Sequence, residues 1–170
     1  MVDYTTIRTV LQRIEVEYNN YMTTSDPYMP QLLSKLAVME FCGWIEESID
    51  EILNNYLDTH IVDVNGKRII QNFIKKIYGF SFEKHMYQGL SLVIGANNLE
   101  NILDGLTPMD KSNLESIANS YHSERNDAAH KNTIIGVTRR FSSPSQVLTD
   151  LNKIEPAIKA IETSVANLRQ

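Results

Sequence analysis

Apolar residues recur at alternating spacings of three and four positions along most of the chain, which predicts amphipathic α-helices. The first stripe predicts a helix over residues 4–21 that stops near Ser25-Asp26-Pro27, and a longer helix should run from about Pro30 to Leu57. The cleanest stripe follows Ser143-Pro144 and consists of Val147, Leu151, Ile154, Ile158, Ile161, Val165 and Leu168. Because no segment alternates with a period of two over more than a few residues, the pattern predicts an all-α protein.

Shorter apolar patterns fill the middle of the chain. They predict helices over residues 69–77, 82–94 and 99–106. Asn65-Gly66 predicts a turn, Gly79 a C-terminal cap, and Gly89 an interruption of the second of these helices. Thr107-Pro108 combines a capping residue with a proline suited to the first helical position, and so predicts the start of another long helix. Together the elements predict a bundle of about five to six helices with two long antiparallel ones.

Composition narrows the class of protein. A chain of 170 residues with 42% hydrophobic residues suits one domain, residues 1–170, with a sizeable core. A net charge of −5 argues against broad nucleic-acid binding, so any RNA contact should be local. Cys42 is the only cysteine, which excludes an intrachain disulfide and predicts a small core residue. Without a signal-peptide pattern or an apolar run of about 20 residues, we expect a cytoplasmic protein that does not enter a membrane.

Candidate chemistry is concentrated in one predicted helix. His122, Asn126 and His130 are four residues apart, so each lies about 40° further round the axis than the last, and Arg125 lies about 60° from His122. Histidine can transfer protons near neutral pH, and arginine can clamp a phosphate through paired hydrogen bonds. The face lacks a second strong acid or base apart from His122, which two copies of the motif across a dimer would supply. The alternative for His130 is an exposed histidine that favours the helix dipole.

The stretch Arg125-Asn126-Asp127-Ala128-Ala129-His130 resembles the motif of the HEPN family (higher eukaryotes and prokaryotes nucleotide-binding), in which an arginine is followed by a polar residue and, after four to six residues, a histidine. Residues 41–49, Phe-Cys-Gly-Trp-Ile-Glu-Glu-Ser-Ile, are similar to the RiboL-PSP-type branch of that family. The resemblance implies a HEPN-like helical bundle that forms a homodimer with two motifs meeting in a composite cleft.

The same resemblance implies an activity. Family members include metal-independent endoribonucleases, hydrolases that leave 2′,3′-cyclic phosphate ends, and many act as toxins with a cognate antitoxin or in antiviral defence. Carried over by position, Arg125 and His130 are the catalytic pair and Asn126 assists them, without a cofactor. Other members have lost activity, so the alternative is a catalytically inactive HEPN-type module that binds a partner protein or a nucleotide. A helical structural protein with an accidental motif is a third alternative.

Two further features bear on the site. Glu46 lies among apolar helical neighbours, and an acid there is costly unless paired, so we predict that it pairs with Arg125 or hydrogen-bonds near the motif. The alternative is that its side chain reaches out to solvent at the helix edge.

Residues 121–140 carry a net charge of +2 against −7 for the rest of the chain, which predicts local RNA binding or, alternatively, an ordinary solvated surface. The cations proposed to bind RNA are Lys131, Arg139 and Arg140. His60 and His85 have no partners at metal-ligand spacing, so no metal site is predicted.

Overall fold

The computed structural model describes residues 1–77, 79–130 and 141–168. Within these ranges the chain forms helices and no strand, which confirms the all-α prediction. The described residues contain seven α-helices rather than five or six. They are α1 (Tyr4–Met22), α2 (Tyr28–His60), α3 (Val64–Ile74), α4 (Gln88–Ile94), α5 (Ala96–Asp104), α6 (Pro108–His130) and α7 (Pro144–Ala166), and a π-helical segment (Phe82–Tyr87) leads directly into α4.

The core lies between the four longest helices, because α2 packs against α1, α6 and α7, and α7 also packs against α1 and α6. Tyr121 near the end of α6 donates to Asp150 near the start of α7 at 3.1 Å. One turn later in α6, Glu124 accepts a hydrogen bond from the hydroxyl of Ser142, which precedes α7, at 2.9 Å. The two helices therefore run antiparallel, as predicted for the long pair.

Helix starts follow the predicted capping residues. The side chain of Ser143 accepts from the amide of Gln146 at 3.3 Å at the start of α7. At the start of α6, the hydroxyl of Thr107 accepts from the amide of Asp110 at 3.1 Å and donates to its carboxylate at 2.7 Å. These bonds satisfy amides that a helix N-terminus otherwise leaves without a partner.

The middle of the chain differs from the predictions in three places. Asn65-Gly66 lies in the first turn of α3 rather than in a turn before it, because the Asp63 carboxylate accepts from the Gly66 amide at 2.6 Å and caps the helix. Gly79 is not the C-terminal cap of α3, which ends at Ile74. Gly89 does not interrupt a helix but is buried within α4, and the irregular stretch is the π-helical segment before it.

None of the described helices combines the length and the apolar character that a membrane crossing requires.

Candidate functional site

The C-terminal turns of α6 carry the motif residues predicted from the sequence. Arg125 is half-buried, whereas Asn126 and His130 are exposed, and His130 is the last residue of the helix. On an α-helix, five residues separate Arg125 from His130 by about 140° round the axis and about 7.5 Å along it. The two side chains of one chain therefore leave α6 in diverging directions.

Glu46 of α2 lies opposite Arg125, as predicted. Its Oε2 is 3.5 Å from Nη2 of Arg125, and its Oε1 accepts a hydrogen bond from the backbone N–H of Gly79 at 2.8 Å. The two side chains are 25% and 34% exposed, so the ion pair stands at the edge of the bundle, in reach of solvent. The carboxylate thus connects α2, the chain after α3, and the motif helix, while most of the five N–H donors of Arg125 have no acceptor within the described part of the chain.

Gly79 adopts a backbone conformation that L residues rarely take, with φ of 118°. A Cβ atom at this position would lie 3.1 Å from Cε1 of His122 and 3.1 Å from Cε1 of His85. The glycine therefore lets the backbone approach two imidazole rings whose centroids are 5.1 Å apart and whose planes are inclined by 39°. We call Glu46, Gly79, His85, His122 and Arg125 the motif cluster.

His85, like Gly79, is a member of the motif cluster that the sequence did not predict. Its Nδ1 is 2.6 Å from Oγ of Ser81, which is itself buried. Burial, and next the neighbouring His122, lower the pKa of His85; Glu46 acts in the opposite direction and Lys84 in the same one. An imidazole that stays neutral at neutral pH can accept a proton, so the site holds an acid–base group from outside the motif helix.

The predicted supporting residue His122 joins the motif cluster from α6. Its ring meets the edge of Phe80 in a T-shaped arrangement, with centroids 5.6 Å apart. Its Nδ1 is buried and has no hydrogen-bond partner among the residues that the structure describes. A buried polar atom without a partner costs free energy, so Nδ1 does not stabilise this position of the ring. The ring is instead packed against Phe80.

The chain segment that carries His85 is fastened to the motif helix. The backbone N–H of Phe82 donates to Oδ1 of Asn119 in α6 at 3.0 Å.

Beneath the motif, the thiol of the buried Cys42 in α2 donates to the carbonyl of Tyr121 at 3.6 Å. Burial, together with the charge of Glu124, raises the pKa of Cys42 to about 12, so this thiol is the core residue that the sequence predicts.

Three predicted RNA-binding cations, Lys131, Arg139 and Arg140, lie outside the described residues, and their role stays a prediction. Among the described residues, no group of three or more histidine, cysteine, aspartate or glutamate side chains is arranged to hold a metal ion. The chemistry that the described part of the chain brings together at this site is one guanidinium, one carboxylate and two imidazoles.

Comparisons with known proteins returned no match for this chain: no family model fits it, and no curated protein or solved structure is significantly similar.

Proposed function

We propose that this protein is an endoribonuclease that cleaves RNA to 2′,3′-cyclic phosphate ends without a metal ion, using the motif at the end of α6. The observation that carries the proposal is the half-exposed guanidinium of Arg125, which Glu46 holds in place beside the exposed Asn126. An arginine held by one ion pair, whose other N–H donors have no acceptor among the described residues, is suited to bind a phosphate and to stabilise charge on its oxygens during displacement.

The other motif residues complete the proposed chemistry. His130 is exposed at the end of the helix and can give a proton to the 5′ oxygen that leaves phosphorus. Asn126, one turn before it, can hold a non-bridging oxygen of the same phosphate through its amide. Because Arg125 and His130 diverge by about 140° on one helix, a site that uses both is better formed by two copies of the chain. We therefore propose a homodimer with composite sites.

The biological setting rests on the HEPN resemblance alone. It supports a toxin–antitoxin or antiviral defence role, with a cognate antitoxin or another regulatory protein as partner. A cytoplasmic location, where RNA substrates are present, belongs to the same proposal.

The test is cleavage of total RNA and tRNA in excess EDTA by the wild type, Arg125→Ala and His130→Ala. Loss of an interaction with the charge developing in the transition state should lower the rate by about 100-fold or more in each variant. Arg13→Ala, which removes an exposed arginine of α1, is the matched control and should retain wild-type activity. Cleavage that survives both motif substitutions would contradict the assignment, as would a dimeric, folded wild type without activity.

A catalytically inactive module that binds a protein or a nucleotide is the second candidate. The observation that favours it over catalysis is the Glu46–Arg125 pair, since a carboxylate beside the guanidinium opposes the negative charge that builds up on a phosphate in the transition state. The net charge of −5 acts in the same direction. An inactive wild type that binds a nucleotide or a partner protein, with affinity lost in Arg125→Ala, would establish this candidate instead.

A further inference from the structure

Cleavage of RNA by attack of the 2′ oxygen requires two proton transfers. One group takes the proton of the 2′-hydroxyl, and another gives a proton to the departing 5′ oxygen. Of the groups that the proposed site uses from one copy of the motif, His130 can perform one of these tasks, whereas the guanidinium of Arg125 and the amide of Asn126 do not accept protons at neutral pH. One copy of the motif therefore lacks a second acid–base group, which has to come from another part of the chain or from a second copy.

His85 has the geometry of such a group. In the tautomer in which Nδ1 carries the proton, Oγ of Ser81 accepts it at 2.6 Å, and the lone pair of Nε2 is then available. No hydrogen bond to Nε2 is formed within the part of the chain that the structure describes. A histidine with one nitrogen oriented by a partner and the other nitrogen open is the arrangement that a general base requires.

The backbone at Gly79 links this nitrogen to the proposed phosphate clamp through Glu46. A Cβ on Gly79 would lie 3.2 Å from Nε2 of His85, so the nitrogen faces the backbone whose N–H is bound to Glu46. The other oxygen of Glu46 contacts Arg125. A phosphate held by Arg125 at the edge of the motif cluster would thus have an imidazole nitrogen in its vicinity.

The charged groups around His85 are His122 on α6, Glu46 on α2 and Lys84 on its own segment. Burial and His122 lower the pKa of His85, which keeps its Nε2 unprotonated in the range where an acid–base enzyme works. His122 acts on the reaction through this ring, so it is a positioning residue rather than a catalytic one.

His85 and His130 of one chain are poorly placed to act on the same phosphorus atom. His85 packs against His122, which precedes His130 by eight residues and hence by about 12 Å along the axis of α6. The side chains of His85 and His130 would have to bridge most of this distance to act on opposite sides of one phosphodiester. A second copy of the chain removes the conflict, because its own α6 end can approach from the other side.

Resting on the ribonuclease function proposed above, we infer that His85 is the general base of the site and acts together with His130 of a second copy of this chain. Nε2 of His85 takes the proton of the 2′-hydroxyl, and the 2′ oxygen forms a bond to phosphorus. The bond from phosphorus to the 5′ oxygen breaks, and that oxygen takes a proton from the imidazolium of His130. The products are a 2′,3′-cyclic phosphate and a 5′-hydroxyl, while Arg125 stabilises the charge on the phosphate.

The test is complementation between two inactive chains. His85→Asn keeps an amide that can bond Ser81 but cannot accept a proton, so a purely structural role would survive this substitution. We expect His85→Asn and His130→Ala dimers each to lose about 100-fold or more in cleavage rate. Co-expression and co-purification of the two chains should restore about a quarter of wild-type activity, since half of the dimers are mixed and each mixed dimer has one intact site.

The controls separate this inference from the function on which it rests. Co-purifying His85→Asn with an Arg125→Ala chain, and each variant with itself, establishes how far mixing alone changes activity. A wild type without RNA cleavage would refute the proposed function and the inference together. A wild type that cleaves RNA while His85→Asn retains its rate would overturn the inference only. Mixed dimers of His85→Asn and His130→Ala that stay inactive would overturn the two-chain site.

Discussion

Two polar clusters flank α6, and they differ in how well their groups are bonded. The anchor cluster consists of Tyr121, Gln146, Asp150 and Lys153. The buried Asp150 accepts hydrogen bonds from all three others, at 3.1, 2.8 and 3.0 Å. In the motif cluster, by contrast, the ion pair measures 3.5 Å, and the buried Nδ1 of His122 has no partner within the described ranges of the chain.

The difference indicates what each cluster does. Buried polar groups in folded proteins are normally bonded, and each one left unbonded costs about 1–3 kcal/mol. The carboxylate of the anchor cluster is fully bonded, as expected of a group of residues that fixes α7 against α6. The motif cluster departs from this rule and adds a rare backbone conformation at Gly79. Departures of this kind concentrate at sites that bind or react, because groups satisfied within the protein are not available to a ligand.

The largest effect on stability should come from the anchor cluster. Asp150→Ala leaves the hydroxyl of Tyr121, a residue only 3% exposed, without its acceptor, and should lower the free energy of unfolding by about 2–3 kcal/mol. Urea denaturation measures this loss. RNA cleavage by the folded fraction should stay within about threefold of wild type if the only role of Asp150 is to fix α7 against α6. A loss below about 0.5 kcal/mol would show that the two clusters do not differ as described.

A smaller effect on stability, with a larger one on activity, is expected at Gly79. Gly79→Ala places a methyl group 3.1 Å from two imidazole rings in a conformation that disfavours L residues, and should cost about 1–3 kcal/mol. Cleavage should fall because His85 is displaced. Gly43→Ala is the matched control: a Cβ on this exposed helical glycine has no atom within 4 Å. It should instead stabilise the protein by about 0.5–1 kcal/mol. Equal effects of the two substitutions would contradict the role assigned to Gly79.

The smallest predicted effect concerns Asp50, one turn after Glu46 on α2. Burial, and then the charges of Glu46 and Glu47, raise the pKa of Asp50 from 3.8 to about 6. The folded state therefore binds this proton more tightly than the unfolded state, and stability linked to it is present below pH 3.8 and lost as the pH rises through 6.

Replacing Asp50 with asparagine removes that linkage. Because the side chain is partly exposed, solvent screening limits the gain to less than about 1 kcal/mol at pH 8, with almost none at pH 4. Urea denaturation of Asp50→Asn and wild type at the two pH values measures it. The same gain in the free energy of unfolding at both pH values would mean that the effect is not electrostatic. Arg125 would then neutralise the charge of Glu46 more fully than the comparison of the two clusters implies.

The long helices could be predicted from the sequence because their signals are local. Periodic apolar residues and the capping side chains at Thr107 and Ser143 lie within a few positions of the elements they define. The pairing of Glu46 with Arg125 was also predictable, since an acid on an apolar helical face needs a partner and the motif arginine supplied one.

His85 and Gly79 could not be placed in this way. The apolar pattern that predicts a helix from Phe82 says nothing about the chain between Gly79 and Ser81, whose position is set by contacts of this region with residues far along the sequence, such as Glu46 and Asn119. A glycine after a helix is commonly a cap, so the local interpretation of Gly79 was wrong because tertiary packing determined its conformation. The four-residue spacing of Ser81 and His85 suits a contact on any helix, but it indicates a site only once the fold brings His122 and Gly79 against the His85 ring.

The buried thiol of Cys42 offers a way to measure how often the native structure opens locally. Cys42 is the only cysteine in the sequence, and its buried thiol contacts the carbonyl of Tyr121 between α2 and α6. We expect a reagent to reach this thiol when the two helices separate. The rate at which a thiol reagent labels the native protein therefore reports how often the helix that carries the motif lifts from the core. A bound RNA or a partner protein that clamps α6 would slow this labelling in proportion to its occupancy.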